Sequence, residues 1–436
     1  MKSMRLLQIG DVHYPDAKAN SAIVDLKDGA LSRHLVSLTT PDRLQSVARS
    51  LTKLCQSNRT GDRIHVVLFS GDLTARGQLL GYKECLRYLN NVLRVADGSI
   101  WSQDCVHAVP GNHDVDRTLC VPTNPDMFVK FRPLVSAWQD LGLPILQAST
   151  IRQTTVSADG CSVEVFSLNS CVGCGEKRFL PAQLRDELHS LLETHVASRT
   201  LEEAFALVGE QLDTPAFLEE HLASLRSVID ELPVTAIPIV LAHHNILPQT
   251  ALRLDIYTEV INGGLVRSRL SQSAHPVIYC HGHIHDDPIE IVTSPQFSSG
   301  PLISISAPPF SIGFNVIDIW CGQKNVPLGC VVKPYRLRPD ASVREDEPRT
   351  VRIPLRQSGM HTELGHERIE EVLSHLSPKG FERFEVILSR LRSASEVHAQ
   401  ERSLAEPLLE AEWFGLVEIL DREKANKHWQ VRRVVP

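Results

Sequence analysis

Five short polar clusters in this sequence each follow an apolar run that is typical of a buried strand. They combine carboxylate, amide and imidazole groups, which are the ligand types that proteins use for divalent transition metals. Because ligand sites of α/β folds lie where strands end, clusters in this position can converge. Their composition predicts two divalent cations that share one carboxylate, which we assign to Asp72. The clusters are Asp11-Val12-His13, Gly71-Asp72-Leu73-Thr74-Ala75-Arg76-Gly77, Gly111-Asn112-His113-Asp114, His243-His244 and Gly282-His283-Ile284-His285.

Two of these clusters place candidate ligands two residues apart. In an extended backbone, residues two apart point to the same side. Asp11 and His13 would then face one cation while the residue between them turns into the core. His283 and His285 would likewise lie on one side and face the metals, with Ile284 buried. Taken alone, the Asp11 pair would more often be a surface turn.

Asn112, His113 and Asp114 offer three groups with different expected roles. The side-chain oxygen of Asn112 can bind a metal, whereas His113, as the next residue, points elsewhere and stays available near the metals. Asp114 would hold the His113 ring by a hydrogen bond. We therefore predict Asn112 as a ligand and His113 with Asp114 as catalytic groups. A simple turn with Asx capping is the alternative for these three residues.

The ordered set D-x-H, GDLTxxG, GNHD, H-H and GHxH resembles the calcineurin-like metallophosphoesterase superfamily over roughly residues 4 to 320. GDLTARG and GNHD are more similar to the phosphodiesterase and nuclease branches than to the Ser/Thr phosphatase branch, which uses GDxVDRG and GNHE. Together with the ligand geometry, the resemblance implies two cation sites. One would be formed by Asp11, His13, Asp72 and His285, and the other by Asp72, Asn112, His243 and His283.

The resemblance implies hydrolysis of a phosphodiester, such as a cyclic nucleotide or another small phosphodiester, by metal-activated hydroxide. Oxygen ligands beside imidazoles suit Mn, Fe, Zn or Co. His113 would contact the phosphate or protonate the leaving oxygen. Arg117 is predicted to bind the substrate phosphate as a fork donor, although a surface pair with Asp116 is an equal alternative. His244, beside the ligand His243, is also predicted to bind substrate.

Two other functions are compatible with the same residues. The first is a nuclease for DNA or RNA, in which a C-terminal module would hold the nucleic-acid backbone. The second is a scaffold that keeps the fold and acts by binding a partner. The complete ligand set argues against the scaffold, because a protein that only binds a partner has no need of His113 and every metal ligand.

The elements that must position these clusters alternate between strand and helix patterns, which predicts an α/β fold. The resemblance implies a two-sheet β-sandwich flanked by helices. This catalytic domain would span 1–338, with helical insertions at about 120–150 and 181–232 and a loop at 14–40 over the site. Strands are predicted at 4–10, 64–69, 105–109, 236–242, 277–280, 302–306 and 314–320, and helices at 41–55 and 82–95.

Residues 339–355 become rich in charge and proline and are predicted to be a linker. Residues 356–436 would form a small α+β module, with helices at 366–376, 380–391 and 396–411 and a β-hairpin at 415–434. This order resembles a winged helix, whose basic residues could contact nucleic-acid phosphates. A helical cap or an oligomerisation unit is the preferred interpretation, because acidic residues balance the basic ones. The basic residues are Lys424, Lys427, Arg432 and Arg433.

The composition is that of an ordinary globular protein: 436 residues, 42% hydrophobic, 22% charged, with a net charge of −7. The chain lacks the overall positive charge that is typical of nucleic-acid-binding domains. The start of the chain lacks a signal-peptide pattern, and no apolar run approaches the roughly 20 residues of a membrane helix. We expect a cytoplasmic protein without a membrane segment and with free thiols. Cys171 and Cys174 form a CxxC, which suggests zinc or redox chemistry, but plain loop cysteines are the preferred interpretation.

Overall fold

The structure is a computed structural model. It describes residues 1–14, 40–57, 63–95, 98–99, 104–120, 126–142, 148–176, 213–248, 259–285, 288–293, 300–322, 324–356, 367–377, 380–394, 401–422 and 424–434, with short pieces at 183–184, 186–187, 190 and 194. The predicted loop at 14–40 and much of the predicted insertion at 181–232 lie outside these residues.

The described strands and helices alternate along the first two thirds of the chain, as the sequence predicts. The strands are β1 (Lys2–Ile9), β2 (Val66–Phe69), β3 (Arg94–Val95), β4 (Gly98–Ser99), β5 (Val106–Ala108), β6 (Arg152–Ala158), β7 (Cys161–Ser167), β8 (Ala236–Leu241), β9 (Val277–His281), β10 (Ile289–Val292), β11 (Leu302–Ser306), β12 (Gly313–Cys321), β13 (Pro327–Leu337), β14 (Val343–Glu345), β15 (Val351–Pro354), β16 (Glu382–Arg383), β17 (Val417–Leu420) and β18 (Gln430–Arg433). The helices are α1 (Thr40–Cys55), α2 (Leu79–Val92), α3 (Arg132–Asp140), α4 (Glu219–Asp230), α5 (Gly263–Ser271), α6 (Glu367–Ser374), α7 (Phe384–Ala394) and α8 (Glu401–Trp413).

Two large sheets form the centre of the protein. Among the described residues, the first sheet has the order β14-β13-β12-β1-β2-β5, with β15 also beside β13, and the second has the order β10-β11-β9-β8-β7-β6. Strand β1 pairs in parallel with β2 and antiparallel with β12, where Lys2 lies opposite Cys321. The predicted two-sheet sandwich is confirmed.

The apolar pattern of β1 explains how the layers pack. Met4 and Leu6 face the core between the two sheets, whereas Leu7 and Ile9 face the helices on the outer side. Both faces of the strand are therefore buried, which is why the sequence reads as a continuous apolar run. Helices α1, α2 and α3 cover the outer face of the first sheet, and α4 and α5 cover the outer face of the second.

The strands that precede the polar clusters run in parallel within each sheet. In the first sheet these are β1, β2 and β5, and in the second they are β8 and β9, with β7 parallel to β8. Parallel strands end at the same edge, so the clusters that follow them are gathered at one side of the sandwich. The fold itself thus accounts for the convergence of distant segments.

The residues predicted as a linker, 339–355, form β14 and β15 instead, and both strands pair with β13. The composition-based prediction fails here for a physical reason. Short edge strands expose alternate residues to solvent and tolerate proline, so their charge and Pro354 do not distinguish them from a linker. The boundaries between domains stay a prediction.

The C-terminal residues form a small α+β module. Its elements follow the order α6, β16, α7, α8, β17, β18, and its sheet has the order β16-β18-β17. Three helices with a three-stranded sheet in this order correspond to the winged-helix arrangement that the sequence suggests.

No helix among the described residues combines the length and the apolar composition that crossing a bilayer requires.

Helix α8 packs the module against the first sheet. The Arg352 guanidinium of β15 lies 4.0 Å from the centre of the Trp413 ring, and Arg352 also pairs with Glu412 at 2.9 Å. A side chain at Gly329 of β13 would overlap the Trp413 ring, so only glycine allows this close approach. Leu404 and Leu408 share one apolar core with Leu328.

We predict that Trp413→Ala lowers the free energy of unfolding by about 3–5 kcal/mol, because it leaves a cavity between the module and the sheet. Chemical denaturation of the full chain measures this change. Phe381→Ala is the matched control, since Phe381 is an aromatic of the same module that is 36% exposed, and it should change the stability by about 0.5 kcal/mol. Equal losses for the two variants would contradict the prediction.

Candidate metal centre

The structure brings the seven predicted ligands together where the ends of the two sheets meet. Within the described residues, several sets of three ligand atoms lie within 4.8 Å of one another, including Asp11 with His13 and His285, and Asp11 with Asp72 and His243. A further set combines His243, His244 and His283, and another combines His13, Asp72 and His113. The remaining predicted ligand, Asn112, places its Oδ1 3.0 Å from Nε2 of His243.

The first group of ligands contains Asp11, His13 and His285. The Nε2 atoms of the two histidines lie 3.3 Å apart, and Nε2 of His285 lies 3.4 Å from Oδ1 of Asp11. Neutral imidazoles carry one donor and one acceptor nitrogen each. Two ring nitrogens that face each other beside a carboxylate can therefore both direct lone pairs at one cation.

The second group is centred on His243. Its Nδ1 donates to the carbonyl oxygen of Ser70 at 2.7 Å, which leaves Nε2 free to face Asp72 and Asn112. Nε2 of His243 lies 3.4 Å from Oδ2 of Asp72. The ring of His283 is 5.1 Å from that of His243. A backbone carbonyl that fixes the tautomer of a histidine is the usual arrangement around metal ligands.

Asp72 lies between the two groups. Its Oδ1 accepts a hydrogen bond from the backbone N–H of His113 at 2.9 Å. Its Oδ2 lies 3.7 Å from Nε2 of His13 and 3.4 Å from Nε2 of His243. The side chain is 1% exposed. One oxygen thus anchors the carboxylate, and the other faces one imidazole of each group, as a bridging ligand must.

Left-handed backbone turns aim the ligands. Of the nine described non-glycine residues with positive φ, five are candidate ligands. This conformation costs of order 1–3 kcal/mol per residue and persists where surrounding contacts enforce it. The expectation that extended backbone aligns residues two apart is therefore wrong in its mechanism, although it pairs the correct residues. The five are Asp11, His13, Asp72, His283 and His285.

Backbone hydrogen bonds hold these turns in place. The N–H of His13 donates to the carbonyl oxygen of Asp72 at 2.9 Å, and the N–H of Asp11 donates to Gly71 at 3.2 Å. The N–H of His283 donates to the carboxylate of Asp11 at 3.0 Å. The loops that carry the ligands, from both sheets, are therefore hydrogen-bonded to one another.

The electrostatics of the cluster favour cations. Burial lowers the pKa of His13 to about 4, and burial together with His244 and His243 lowers the pKa of His283 well below its usual value. Burial alone would raise the pKa of Asp72, but the adjacent His243 and His113 outweigh it and hold the pKa well below the usual range. Burial alone would lower the pKa of His243, but Asp72 outweighs it and raises that pKa to about 9. The buried carboxylates are thus stabilised by nearby positive charge, and the donor set fits divalent metals that would supply it.

His113 lies at the side of the first group, as predicted. Its ring meets that of His13 edge-on at 4.9 Å. Nδ1 of His113 is 3.4 Å from the carbonyl oxygen of Ala75, to which it can donate. This contact leaves Nε2 available for chemistry next to the ligands.

Asp114 does not hold the His113 ring, which corrects its predicted catalytic role. Its carboxylate accepts hydrogen bonds from the backbone N–H groups of Leu73 at 3.1 Å, Thr74 at 3.1 Å and Gly111 at 3.0 Å. These bonds tie the loop after β5 to the loop after β2. Asp114 thus positions the two loops that carry Asn112 and Asp72.

The two predicted substrate-binding residues are committed to other contacts. The Arg117 guanidinium forms two bonds of 2.7 Å with the Asp213 carboxylate and donates to the carbonyl oxygen of Asn112 at 3.2 Å. His244 is 1% exposed, and its ring packs 4.4 Å from that of His283. Arg117 therefore supports the loop of Asn112, and His244 supports the ligand rings from beneath.

Asp213 and Ser170 are site residues that the sequence reasoning missed. Asp213 contacts Asn112, and Ser170 contacts the backbone of His243. Neither residue belongs to a recognisable motif, because a single Asp in a helix-rich region and a Ser after a strand are common. Ser170 could have been predicted from the order of the strands. It follows β7, and because β7 and β8 are parallel neighbours, the residues after them lie at the same sheet edge as His243.

Cys171 and Cys174 are buried beside the second group, and their sulfur atoms lie within 4.8 Å of a ring nitrogen of His244. Nδ1 of His244 is already hydrogen-bonded to the Ser170 hydroxyl at 2.9 Å, and the Cys171 thiol donates to the carbonyl oxygen of Pro110 at 3.2 Å. The interpretation of the CxxC as loop cysteines stays a prediction.

A scan against protein-family profiles matches residues 4–287 to a profile described as calcineurin-like phosphoesterase. A comparison with curated proteins finds no match.

Among solved structures, the chain is similar to a dimetal phosphatase from Danio rerio, with 13% identity, a TM-score of 0.45, and coverage of 81% of this chain and 99% of that chain. It is also similar to a 5'-nucleotidase precursor from Thermus thermophilus, with 12% identity, a TM-score of 0.41, and coverage of 86% and 61%. An NAD nucleotidase from Haemophilus influenzae gives 11% identity, a TM-score of 0.40, and coverage of 90% and 60%. The family assignment rests on the profile match.

We predict that Mn²⁺ raises the Tm of metal-stripped protein, because cations neutralise the buried carboxylates. At a free concentration of 100 times Kd, the stabilisation is about 2.7 kcal/mol per site. Asp72→Ala should lose most of this shift, since Asp72 faces both groups. Thermal unfolding with and without chelator measures the effect. Asp340→Ala is the control, because that carboxylate is 58% exposed, and it should keep the full shift.

Proposed function

The chain belongs to the calcineurin-like phosphoesterase family, and on this premise we propose that it hydrolyses phosphodiesters at a centre of two divalent cations. The observation that carries the proposal is the position of Asp72, whose Oδ2 lies 3.7 Å from the His13 nitrogen and 3.4 Å from the His243 nitrogen. A carboxylate shared between two sets of ligands is what a two-metal hydrolase requires.

When bound, two divalent cations polarise the phosphate oxygens and lower the pKa of water, which generates a nucleophile at neutral pH. Asp11, His13, Asp72 and His285 would hold one cation, and Asp72, Asn112, His243 and His283 would hold the other. The mixture of carboxylate, amide and imidazole donors suits Mn, Fe, Zn or Co.

His113 is the residue that we propose for proton transfer. Its N–H is bonded to Oδ1 of Asp72, so its backbone is fixed relative to the shared carboxylate. With Nδ1 donating to Ala75, Nε2 carries a proton only in the imidazolium form, and in that form it would donate to a phosphate oxygen or give its proton to the leaving oxygen. No serine or cysteine nucleophile is needed for this chemistry.

A small phosphodiester, such as a cyclic nucleotide, is the proposed substrate class. The support is the resemblance of GDLTARG and GNHD to the phosphodiesterase branch. A cytoplasmic location is proposed with it, because all ten cysteines lie in described residues and none of them forms a disulfide, as is usual for proteins of reducing compartments.

The nuclease alternative has weaker support. Helix-turn-helix proteins insert the second helix of the pair into a DNA groove. Here the second helix is α8, which carries four glutamates and one arginine in the sequence ERSLAEPLLEAEW and packs against the first sheet. On the hairpin, Arg432 pairs with Glu418 and Lys424 pairs with Asp421. Lys427 and Arg433 are exposed and are the residues that could contact phosphates.

We expect the protein with Mn²⁺ to hydrolyse bis(p-nitrophenyl) phosphate faster than the p-nitrophenyl monoester. His113→Gln should lower kcat by about 10²–10⁴-fold, because proton transfer is lost, while metal content stays unchanged. Steady-state kinetics and metal analysis on the same samples test this. His428→Gln is the control, since His428 is exposed on the C-terminal module.

Absence of metal-dependent hydrolysis of both esters in wild-type protein would overturn the proposal and leave the scaffold alternative. A faster rate with the monoester would replace the diesterase with a phosphatase.

For the nuclease alternative, cleavage of single- and double-stranded DNA should be negligible beside diester turnover. The double variant Lys427→Glu/Arg433→Glu should leave both activities unchanged. Efficient DNA cleavage that this variant abolishes would favour the nuclease instead.

A further inference from the structure

Asp213 lies at the centre of a buried group of hydrogen bonds next to the second ligand group. Its carboxylate accepts two bonds of 2.7 Å from the Arg117 guanidinium and one of 2.9 Å from the N–H of Gly175. Its Oδ2 also lies 3.4 Å from Nδ2 of Asn112. The side chains of Asp213 and Arg117 are only 11% and 10% exposed. Such an ion pair loses its hydration, and the hydrogen bonds from its partners replace those to water.

This carboxylate determines which way the Asn112 amide points. With Nδ2 toward Asp213, Oδ1 faces Nε2 of His243 at 3.0 Å. A flipped amide would place its oxygen against the Asp213 carboxylate, where two acceptors repel each other. The negative charge of Asp213 therefore favours the one orientation in which the amide oxygen can serve as a metal ligand.

Arg117 supports the same loop from a second direction. It donates to the carbonyl oxygen of Asn112 at 3.2 Å while it neutralises Asp213. The side chain and the main chain of Asn112 are thus both held by one ion pair. Two fork-like bonds give this pair a fixed geometry.

The segment that carries Asp213 is itself fastened to the loop of Ser170. The N–H of Ala216 donates to the carbonyl oxygen of Ser170 at 2.9 Å, and the Thr214 hydroxyl donates to the carbonyl oxygen of Gly173 at 3.0 Å. The hydroxyl of Ser170 in turn accepts the N–H of His243 at 3.2 Å. Residues 169–176 and 213–216 therefore hold both Asn112 and His243, two ligands of the second group.

A buried lysine makes this support rigid. Nζ of Lys130 donates to the carbonyl oxygens of Val172 at 2.6 Å and Cys174 at 2.8 Å, and it pairs with Glu176 at 3.0 Å. The first group is fastened differently, because His13 and Asp11 bond to the backbone of the loop after β2. The support from residues 169–176 and 213–216 thus reaches Asn112 and His243, whereas Asp11 and His13 are held by the loop after β2.

We propose that Asp213, with Arg117, is a positioning residue for the second cation. It orients the Asn112 carboxamide so that Oδ1 faces the cation held by Asp72, Asn112, His243 and His283. The inference rests on the proposed function, because it requires a centre of two cations. Loss of Asp213 weakens the second site and leaves the first site intact.

The test is equilibrium dialysis of metal-stripped full-length protein against graded concentrations of Mn²⁺, followed by metal analysis. Wild-type protein should bind two equivalents. Asp213→Asn should raise the Kd of one equivalent by about 10–100-fold, the range found when a group that supports a metal ligand is removed, and leave the other unchanged.

The matched control is Asp318→Asn. Asp318 also forms a buried two-bond pair with an arginine, Arg5, at 2.7 and 3.0 Å, but it lies on β12. A general loss of stability would affect both variants, whereas a positioning role affects only Asp213→Asn. If Asp213→Asn does not fold, the double variant Asp213→Leu/Arg117→Met removes both charges together and avoids a lone buried charge. It should show the same loss of one equivalent.

Wild-type affinity for both equivalents in a folded Asp213 variant would overturn the inference. An equal loss in Asp318→Asn would overturn it as well. Wild-type protein that binds fewer than two Mn²⁺ would contradict the proposed function itself, and that outcome is distinct because it appears without any substitution.

Discussion

The carboxylates of Asp11 and Asp72 are buried together where the two sheets end, and the rest of the site depends on this arrangement. Each lies in a left-handed turn and is about 1% exposed. Two negative charges at this depth require partners that are themselves fixed. The imidazoles of both sheets and the backbone N–H groups of His113 and His283 supply them. The sandwich therefore assembles the site by bringing both sheet edges to these two acids.

Much of this centre could be predicted from the sequence because its ligands follow strand-like apolar runs. Asp72, Asn112 and His243 each come within four residues of the end of β2, β5 or β8, and the local pattern together with the family resemblance predicted them. The backbone conformations that bring these residues together could not be predicted from the sequence. Left-handed turns at Asp11 and His13 depend on hydrogen bonds to a loop roughly sixty residues away, and single-residue backbone conformations of this kind leave little trace in composition.

The supporting residues were harder to predict, and for a consistent reason. Asp213 acts on Asn112 across about a hundred residues, through a contact that no local pattern encodes. The sequence around Arg117 does not distinguish it from a phosphate-binding arginine, but its guanidinium is paired with Asp213 instead. Strands β14 and β15 resemble a linker because edge strands are short and half exposed. In each case the tertiary partner, and not the local sequence, decides the role.

The central position of β1 has a consequence for how the protein reaches its fold. Residues 2–8 pair with β12, so that Lys2 lies opposite Cys321. Pairings of such high contact order make folding slow, because the entropy cost of closing a long loop comes before the stabilising contacts form. During synthesis, β1 leaves the ribosome long before β12 exists. The first strand, and the Asp11 turn that follows it, can complete its sheet only after more than three hundred residues have been translated, so the edge of β1 that pairs with β12 stays open until then.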